Sequence, residues 1–596
     1  MIKRRRWSLP VVVVAAWLAL TAAGCGLTPT RSIKVSPDWS RGLHLGNGYL
    51  NQPVAMAVDE TQTVHLVWCG WGEGGASRLH YVTLDRQGRV QSDRDLDIPV
   101  VHPRRPQLLY DEAGQLHLAW VARAEDDEED SLFHAVLTSD GTVSLGPQRL
   151  SPAGQEVNRF QLYRDAAGRA ALVWANVAEN NPGLYHLTLA QEGTPLAPAV
   201  LIVPNGHVPT AQVDNEGTLH LMWLEKITFS LEGLYYAAFP HSQVASTTGT
   251  MLTQLVVEQG LILDGPVLGL DETHVYVFWS LERRGGGLQG PSAEAWYLSF
   301  PIGHPDEGKA RKIDLLGTSQ PEYTTYAGVF NYTRLHPLDP RRPVYGSDFV
   351  YMPAVVPGQR AELPVLLIVM ISTRTKSRPQ PVMTVFDAGE IKGYQLLALT
   401  DALSTQPNVV ADQESNLHAT WSDLAGAWDF EIYYATTAPS AAAWLNRTSL
   451  EDVLNGAFTL MLGMLSGIGF IPWVGVAILP ALIWVSIYYA LTGEDDLSWR
   501  KPQIGLGTGA LVYLMSKLLL LSPLLVYLPG LEQLPEQWQS RLILIVPMLI
   551  LGIALGAVYV YRRRAERATL FPAFFVLILT DVLLTLVVYS PSVLRE

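Results

Sequence analysis

Between residues 50 and 440, hydrophobic and polar positions alternate in short runs that recur in a fixed order. A proline-led apolar run is followed by a turn containing aspartate, an alternating strand ending in tryptophan, and a second, aromatic-rich strand. PQLLYDEAGQLHLAW ends at Trp120, FQLYRDAAGRAALVW at Trp174, PTAQVDNEGTLHLMW at Trp223 and PNVVADQESNLHATW at Trp421. Weaker copies end at Trp68 and Trp279, and the aromatic strand reads LHYVTL, LFHAVL, LYHLTL, LYYAAF and IYYATT. Successive tryptophans lie 52, 54, 49 and 56 positions apart, and the following gap of 142 holds one more strand-like unit, PVLLIVMIS. These make seven units. A period near 50 with about four short strands per unit is the size of a propeller blade, whereas helical solenoid repeats are shorter and carry a 3.6-residue period. The Asp-x-x-Gly segments suit tight turns, because aspartate bonds its own backbone two residues on and glycine tolerates positive φ. One such sheet cannot bury both faces alone, so blades must cover one another and the ring must close. Residues 31–50 are in a position to supply a closing strand. The irregular stretch 282–345 leaves six or eight blades open as alternatives.

The pattern changes near residue 452. Long apolar stretches follow at 453–492 (interrupted by Pro472 and Pro480), 504–528, 541–561 and 569–590, each of the last three long enough for one membrane crossing. The first, of about 40 residues, is long enough for two helices. Charge arbitrates. With the propeller outside, a single crossing in 453–492 puts Arg500, Lys501 and Arg562, Arg563, Arg564 and Arg567 on the inner side, as the positive-inside bias requires. The expectation is four full crossings plus an interfacial or re-entrant piece near 453–471. Two ionisable residues lie deep in these stretches, Lys517 in LVYLMSKLLLL and Asp581 in VLILTDVLLTL, each 12 to 13 residues from the start of its segment. Opposite charges at one depth in hydrocarbon are costly alone and best accommodated together, so a Lys517–Asp581 contact is expected, as a clasp or as part of an ion path.

The amino terminus has the form of an export signal, with Lys3, Arg4, Arg5 and Arg6 ahead of the apolar segment Val11 to Leu20. It ends in Ala22-Ala23-Gly24-Cys25, which resembles a bacterial lipoprotein lipobox and makes Cys25 a candidate lipidation site, although Ala22 stands where that family usually has leucine. The only other cysteine is Cys69, so no disulfide framework and no cysteine zinc site can be built; a Cys25–Cys69 bridge is the one pairing available. The net charge of −14 argues against a nucleic-acid surface, which needs a basic footprint. His65, His117, His220 and His418 recur three residues before the tryptophan, on the opposite strand face, and are expected to hydrogen-bond between blades rather than to converge on a metal. The acidic run Glu125-Asp126-Asp127-Glu128-Glu129-Asp130 fits no calcium loop and is expected to be solvated. HExxH, GxSxG, GxGxxG and P-loop patterns are absent. No cofactor and no metal is expected.

The Asp-turn repeats resemble those of the sialidase-type propeller superfamily across residues 50–440. The spacing differs: sialidase Asp boxes place the tryptophan about three residues after the glycine, whereas Gly114 and Trp120, like Gly217 and Trp223, are six apart. The resemblance implies an arginine triad for a substrate carboxylate, a Tyr–Glu nucleophile pair and an acid aspartate, none of which can be placed; Arg104-Arg105-Pro106 is the only early Arg-Pro element. The expected chain is thus a signal peptide (1–25), a linker with a closing strand (26–49), an all-β propeller of about seven blades (50–440), a juxtamembrane linker (441–452) and an α-helical transmembrane bundle of four to five segments (453–596). Its expected function is binding, sensing or scaffolding of a polymer, glycan or protein ligand at a membrane surface, with residues 26–452 outside the cytoplasm. The alternatives are a tethered sialidase-like glycoside hydrolase and a propeller-regulated signalling or transport component.

Overall fold

The computed structural model describes residues 32–593 apart from 33–34, 37, 50, 72–76, 99–100, 124–128, 242–243, 245–246, 284–291, 316–325, 328–330, 333–344, 373–376, 401, 427–428, 451, 455–470 and 522–535. The signal segment, Cys25, most of the acidic run, most of 282–345 and the proposed re-entrant piece therefore lie outside the described residues. The chain divides into two compact units, Thr30–Arg447 and the helices from Thr448 onward.

The first unit is a seven-bladed β-propeller. Each blade is a four-stranded antiparallel sheet. The innermost strands are Ala55–Val58, Val101–Tyr110, Val157–Arg164, His207–Val213, Leu261–Leu270, Tyr345–Val355 and Ser404–Ala411, taken as blades 1 to 7. Neighbouring inner strands touch all the way round, and the first meets the last. The strand Leu43–Gly48 pairs antiparallel with Phe430–Thr436 and becomes the fourth strand of blade 7, so the two ends of the propeller close in one sheet. Closure of this kind covers the sheet faces that an open stack of blades would leave exposed. The helix α1 (Pro439–Leu445) packs on this unit, with Ala441 and Leu445 buried against blade 1.

The repeat signature now has physical causes. Each blade tryptophan pairs directly across the hairpin with the aromatic strand: Trp120 with Phe133, Trp174 with Tyr185, Trp223 with Tyr235 and Trp421 with Tyr433. The rings stack at centroid distances of 5.6–5.9 Å, and these four tryptophans are fully buried. The turn aspartates use both oxygens. Oδ1 of Asp214 accepts from the backbone N–H of Glu216 and Thr218, and Oδ2 lies 3.2 Å from His220 Nε2. Gly217 completes the turn at φ +82°, a conformation that side-chain-bearing residues avoid.

The repeat histidines bond within their own blades, not between blades as the alternation of the strand predicts. Nδ1 of His65, His220 and His418 sits 2.7–2.8 Å from the hydroxyl of Tyr81, Tyr236 and Tyr434, and Nε2 faces Asp59, Asp214 and Asp412. The reason is register. His220 pairs with Ala238, which puts Tyr236, two residues earlier, diagonally across on the same face. In blade 2 a histidine takes the tyrosine's place, with His117 Nδ1 3.0 Å from His134 Nε2.

Burial holds His134 down to about 3, and the neighbouring His117 adds to this. Burial also lowers His117 and His220 despite their aspartate partners. A histidine depressed in this way stays neutral in the propeller while the unfolded chain takes up a proton. Its stabilisation is therefore complete above the ordinary value of about 6.5 and is lost as pH falls below it. By about pH 5 the loss from His134 alone is on the order of 2 kcal/mol. Thermal melts between neutral pH and pH 5 should show a falling Tm, with a shallower fall in His134→Gln.

The second unit holds α2 (Ile471–Thr492), α3 (Arg500–Leu520), α4 (Glu536–Arg564) and α5 (Leu570–Val593). Four helical segments, Val474–Thr492, Arg500–Leu520, Arg541–Arg564 and Leu570–Tyr589, are long and apolar enough to cross a membrane. Small residues let α2 and α3 approach closely: Gly505 lies under Tyr488 and Gly509 under Val485. The α2–α3 and α4–α5 connections meet, with Leu497 N–H donating to the Ala568 carbonyl and Leu570 N–H to that of Asp495. This gathers Arg500, Lys501, Arg562, Arg563, Arg564 and Arg567 at one end of the bundle.

Candidate functional site

The inner strands of the propeller begin in an unusual way. In five blades the residue before the proline that leads the apolar run has positive φ: Arg105 (53°), Val208 (50°), Gly265 (96°), Met352 (52°) and Gln406 (50°). The ladder to the second strand breaks at each of these points. A residue preceding proline is normally extended, and a left-handed β-branched residue such as Val208 costs about 1–3 kcal/mol. Four of these five are side-chain-bearing residues, so the inner strands carry local backbone strain at equivalent positions around one ring.

Three ionisable side chains of the inner strands feel one another's charge: Arg105 from blade 2, Arg159 from blade 3 and Asp264 from blade 5. Blade 4 separates the last two, so they approach one another only across the channel. Burial depresses Arg105 to about 10, with Arg159 adding to the shift and Asp264 opposing it. Burial likewise lowers Arg159 and raises Asp264, while the two guanidiniums pull Asp264 back down. All three side chains keep partial contact with solvent. Among the described residues, no side chain lies within ion-pairing distance of either guanidinium. Arg104, by contrast, is committed: it bonds Asp130, the last residue of the acidic run, which also faces Arg123 Nε at 3.7 Å. Gln52 holds the Arg105 bulge in place, its Oε1 accepting from the Arg105 backbone N–H at 2.7 Å. On the far side of the mouth, Thr405 Oγ1 and the Gln406 N–H both donate to Met352 Sδ, at 3.2 and 3.4 Å. Two half-buried guanidiniums that repel each other, with one carboxylate beyond reach, leave a net positive site that an anion would complete.

The sites expected from sequence lie elsewhere. In the helical unit Lys517 Nζ is 2.7 Å from Asp581 Oδ2, and both residues are fully buried. Tyr513 donates to the same oxygen at 2.7 Å. Lys517 also donates to Thr585 Oγ1 at 2.7 Å, and Thr585 donates to the Asp581 backbone carbonyl. Asp581 Oδ1 has no partner among the described residues. Cys69 is a free, buried thiol whose pKa burial pushes up to about 12, which makes it unreactive. Among the described residues no group of three or more His, Cys, Asp or Glu side chains is set up for a metal ion.

No protein-family model and no curated protein matches this sequence. Among solved structures, similar chains include a polysaccharide lyase, PL25-ulvanlyase (9% identity, TM-score 0.44, covering 68% of this chain and 99% of that one). Others are the polysaccharide lyase Uly1 (8%, 0.43, 66% and 90%) and the α-L-arabinanase of Penicillium chrysogenum (10%, 0.35, 57% and 94%). At such identities and TM-scores these likenesses carry no functional argument, and the reading of this propeller rests on its own channel mouth.

Proposed function

We propose that this chain is a membrane-held propeller that binds a ligand bearing a carboxylate, sulfate or phosphate at the channel mouth, outside the cytoplasm. The observation that carries the reading is the Arg105–Arg159 pair, which is half-buried, reachable by solvent and lacks a counter-ion among the described residues. The four apolar helices supply the hold on the bilayer. The basic residues gathered at one end of the bundle favour that end as cytoplasmic. The export-type leader then places the propeller on the other side, with Cys25 as a second tether if it is lipidated.

A tethered glycoside hydrolase is the second reading. It is supported by Asp264, a carboxyl raised by burial next to two arginines, as an acid catalyst would be. A screen of the full chain in detergent separates the two. The panel holds uronate-, sialate- and sulfate-bearing oligosaccharides, phosphopeptides and matched neutral ligands. We expect salt-sensitive retention of the anionic members with no product released. Equal binding of neutral members would contradict the anion site, and product release abolished by Asp264→Asn would establish the hydrolase.

A further inference from the structure

On α4 (Glu536–Arg564) the residues packed into the bundle, Ile550, Leu551, Ala554 and Val558, define one face, and the opposite face is turned outward. On that outward face Met548, Leu549, Ile553 and Tyr559 are each more than half exposed. The 3.6-residue turn places Ile545, Leu549, Gly552, Gly556, Tyr559 and Arg563 in one line along it. Gly552 and Gly556 open this line into a furrow, because a Cβ at either position would meet nothing within 4 Å. The furrow, of about 400 Å³, is lined by Ile545, Met548, Leu549, Gly552 and Ile553. At the head of the line the Arg563 guanidinium lies over the Tyr559 ring, 4.7 Å from its centroid. Arg562 and Arg564 leave the helix about 100° to either side of Arg563, and all three are exposed. Among the described residues none of the three is ion-paired.

Gly552 stands 11 residues before Arg563. That is about 16 Å along the axis, roughly half of the ~30 Å hydrocarbon core of a bilayer. The furrow and the arginines are therefore spaced like the acyl chains and the headgroup of one leaflet. We infer that this face of α4 binds an anionic phospholipid of the leaflet on the basic side: the phosphate meets Arg563, flanked by Arg562 and Arg564, and an acyl chain fills the furrow at Gly552 and Gly556. Arginine suits the phosphate because its planar donors engage two oxygens together, and basic clusters at the end of a membrane helix attract anionic headgroups. A second copy of the helix is the other occupant that two glycines four residues apart could take. Symmetric parallel packing on this face would bring two Arg563 side chains together at one depth, like charge against like, so charge complementarity selects the lipid. The site requires that the helices span a membrane, as proposed above, and is independent of the anion site on the propeller.

The test uses the full chain reconstituted in phosphatidylcholine vesicles that carry a photoreactive analogue of either phosphatidylglycerol or phosphatidylcholine, with the reactive group in an acyl chain. Labelled peptides are mapped by mass spectrometry. The expected result is about five-fold or more label from the phosphatidylglycerol analogue than from the phosphatidylcholine analogue on residues 545–556, with no such preference on α2. The excess should vanish in the Arg562→Gln/Arg563→Gln/Arg564→Gln variant and in Gly552→Leu/Gly556→Leu, whose new side chains enter open space, while label on α2 stays constant as an internal standard of folding. Equal labelling of 545–556 by both lipids, or an excess that survives either set of substitutions, overturns the site. Label on the other helices with none on 545–556 also overturns it, since another protein surface, a second copy included, then covers the furrow. A chain whose helices take no label from either lipid loses the membrane reading itself, whereas equal label from both lipids on all four helices keeps that reading and removes only the site.

Discussion

Asp581→Asn is expected to destabilise the helical unit by roughly 3–5 kcal/mol, because it strands the Lys517 ammonium in a fully buried place. Lys517→Met should cost a similar amount by stranding the carboxylate, although Tyr513 would still donate to Asp581 Oδ2. The double variant removes both charges and should recover most of the loss, since apolar replacement of a buried ion pair is commonly near neutral. Unfolding in mixed micelles of graded denaturing-detergent content measures the cycle. Coupling of several kcal/mol is the expected outcome, and additive single effects would mean that the 2.7 Å contact contributes nothing of its own. The geometry favours a clasp. Lys517, Tyr513 and Thr585 surround one oxygen of Asp581, and the other oxygen has no described partner that would extend a relay.

The blades were legible in the sequence because their defining contacts are local. Trp223 and Tyr235 are neighbours across a single hairpin, so the tryptophan and the aromatic strand appear as one recurring phrase. The histidine partner was also present in that phrase. LHYVTL, LYYAAF and IYYATT each contain the tyrosine that bonds the repeat histidine, at Tyr81, Tyr236 and Tyr434. Alternation shows the face on which a histidine lies but not the diagonal neighbour, which depends on register, and that is why a bond between blades was expected. Lys517 and Asp581 stood out because any charge is conspicuous in a greasy segment.

The channel site was not legible as a site. Arg105, Arg159 and Asp264 are separated by 54 and 105 positions and meet only when the ring closes. No local motif can encode such a meeting. A trace existed nonetheless in the residue just before each proline-led run, where Arg105, Val208, Gly265, Met352 and Gln406 stand at equivalent points of their blades. Reading that column around the ring, rather than along the strand, would have placed Arg105 at the mouth. Arg104, its neighbour, drew equal notice in Arg104-Arg105-Pro106 yet is tied to Asp130.

Arg105→Ala and Arg159→Ala should each weaken binding of an anionic ligand by about 1.5–3 kcal/mol, the range for a charge-assisted hydrogen bond, or roughly 10- to 150-fold. Neither change should lower the melting temperature, because burial depresses both guanidiniums and Arg159 depresses Arg105 further. Arg104→Ala serves as the control: it breaks the pair with Asp130 and should leave affinity nearly unchanged. The direct measurement is calorimetric titration of wild type and these three variants with the best anionic ligand of the screen, at low and at physiological salt. The account predicts salt-sensitive binding that is lost in Arg105→Ala and Arg159→Ala and kept in Arg104→Ala. Binding that survives both losses, in variants that remain folded, would contradict it.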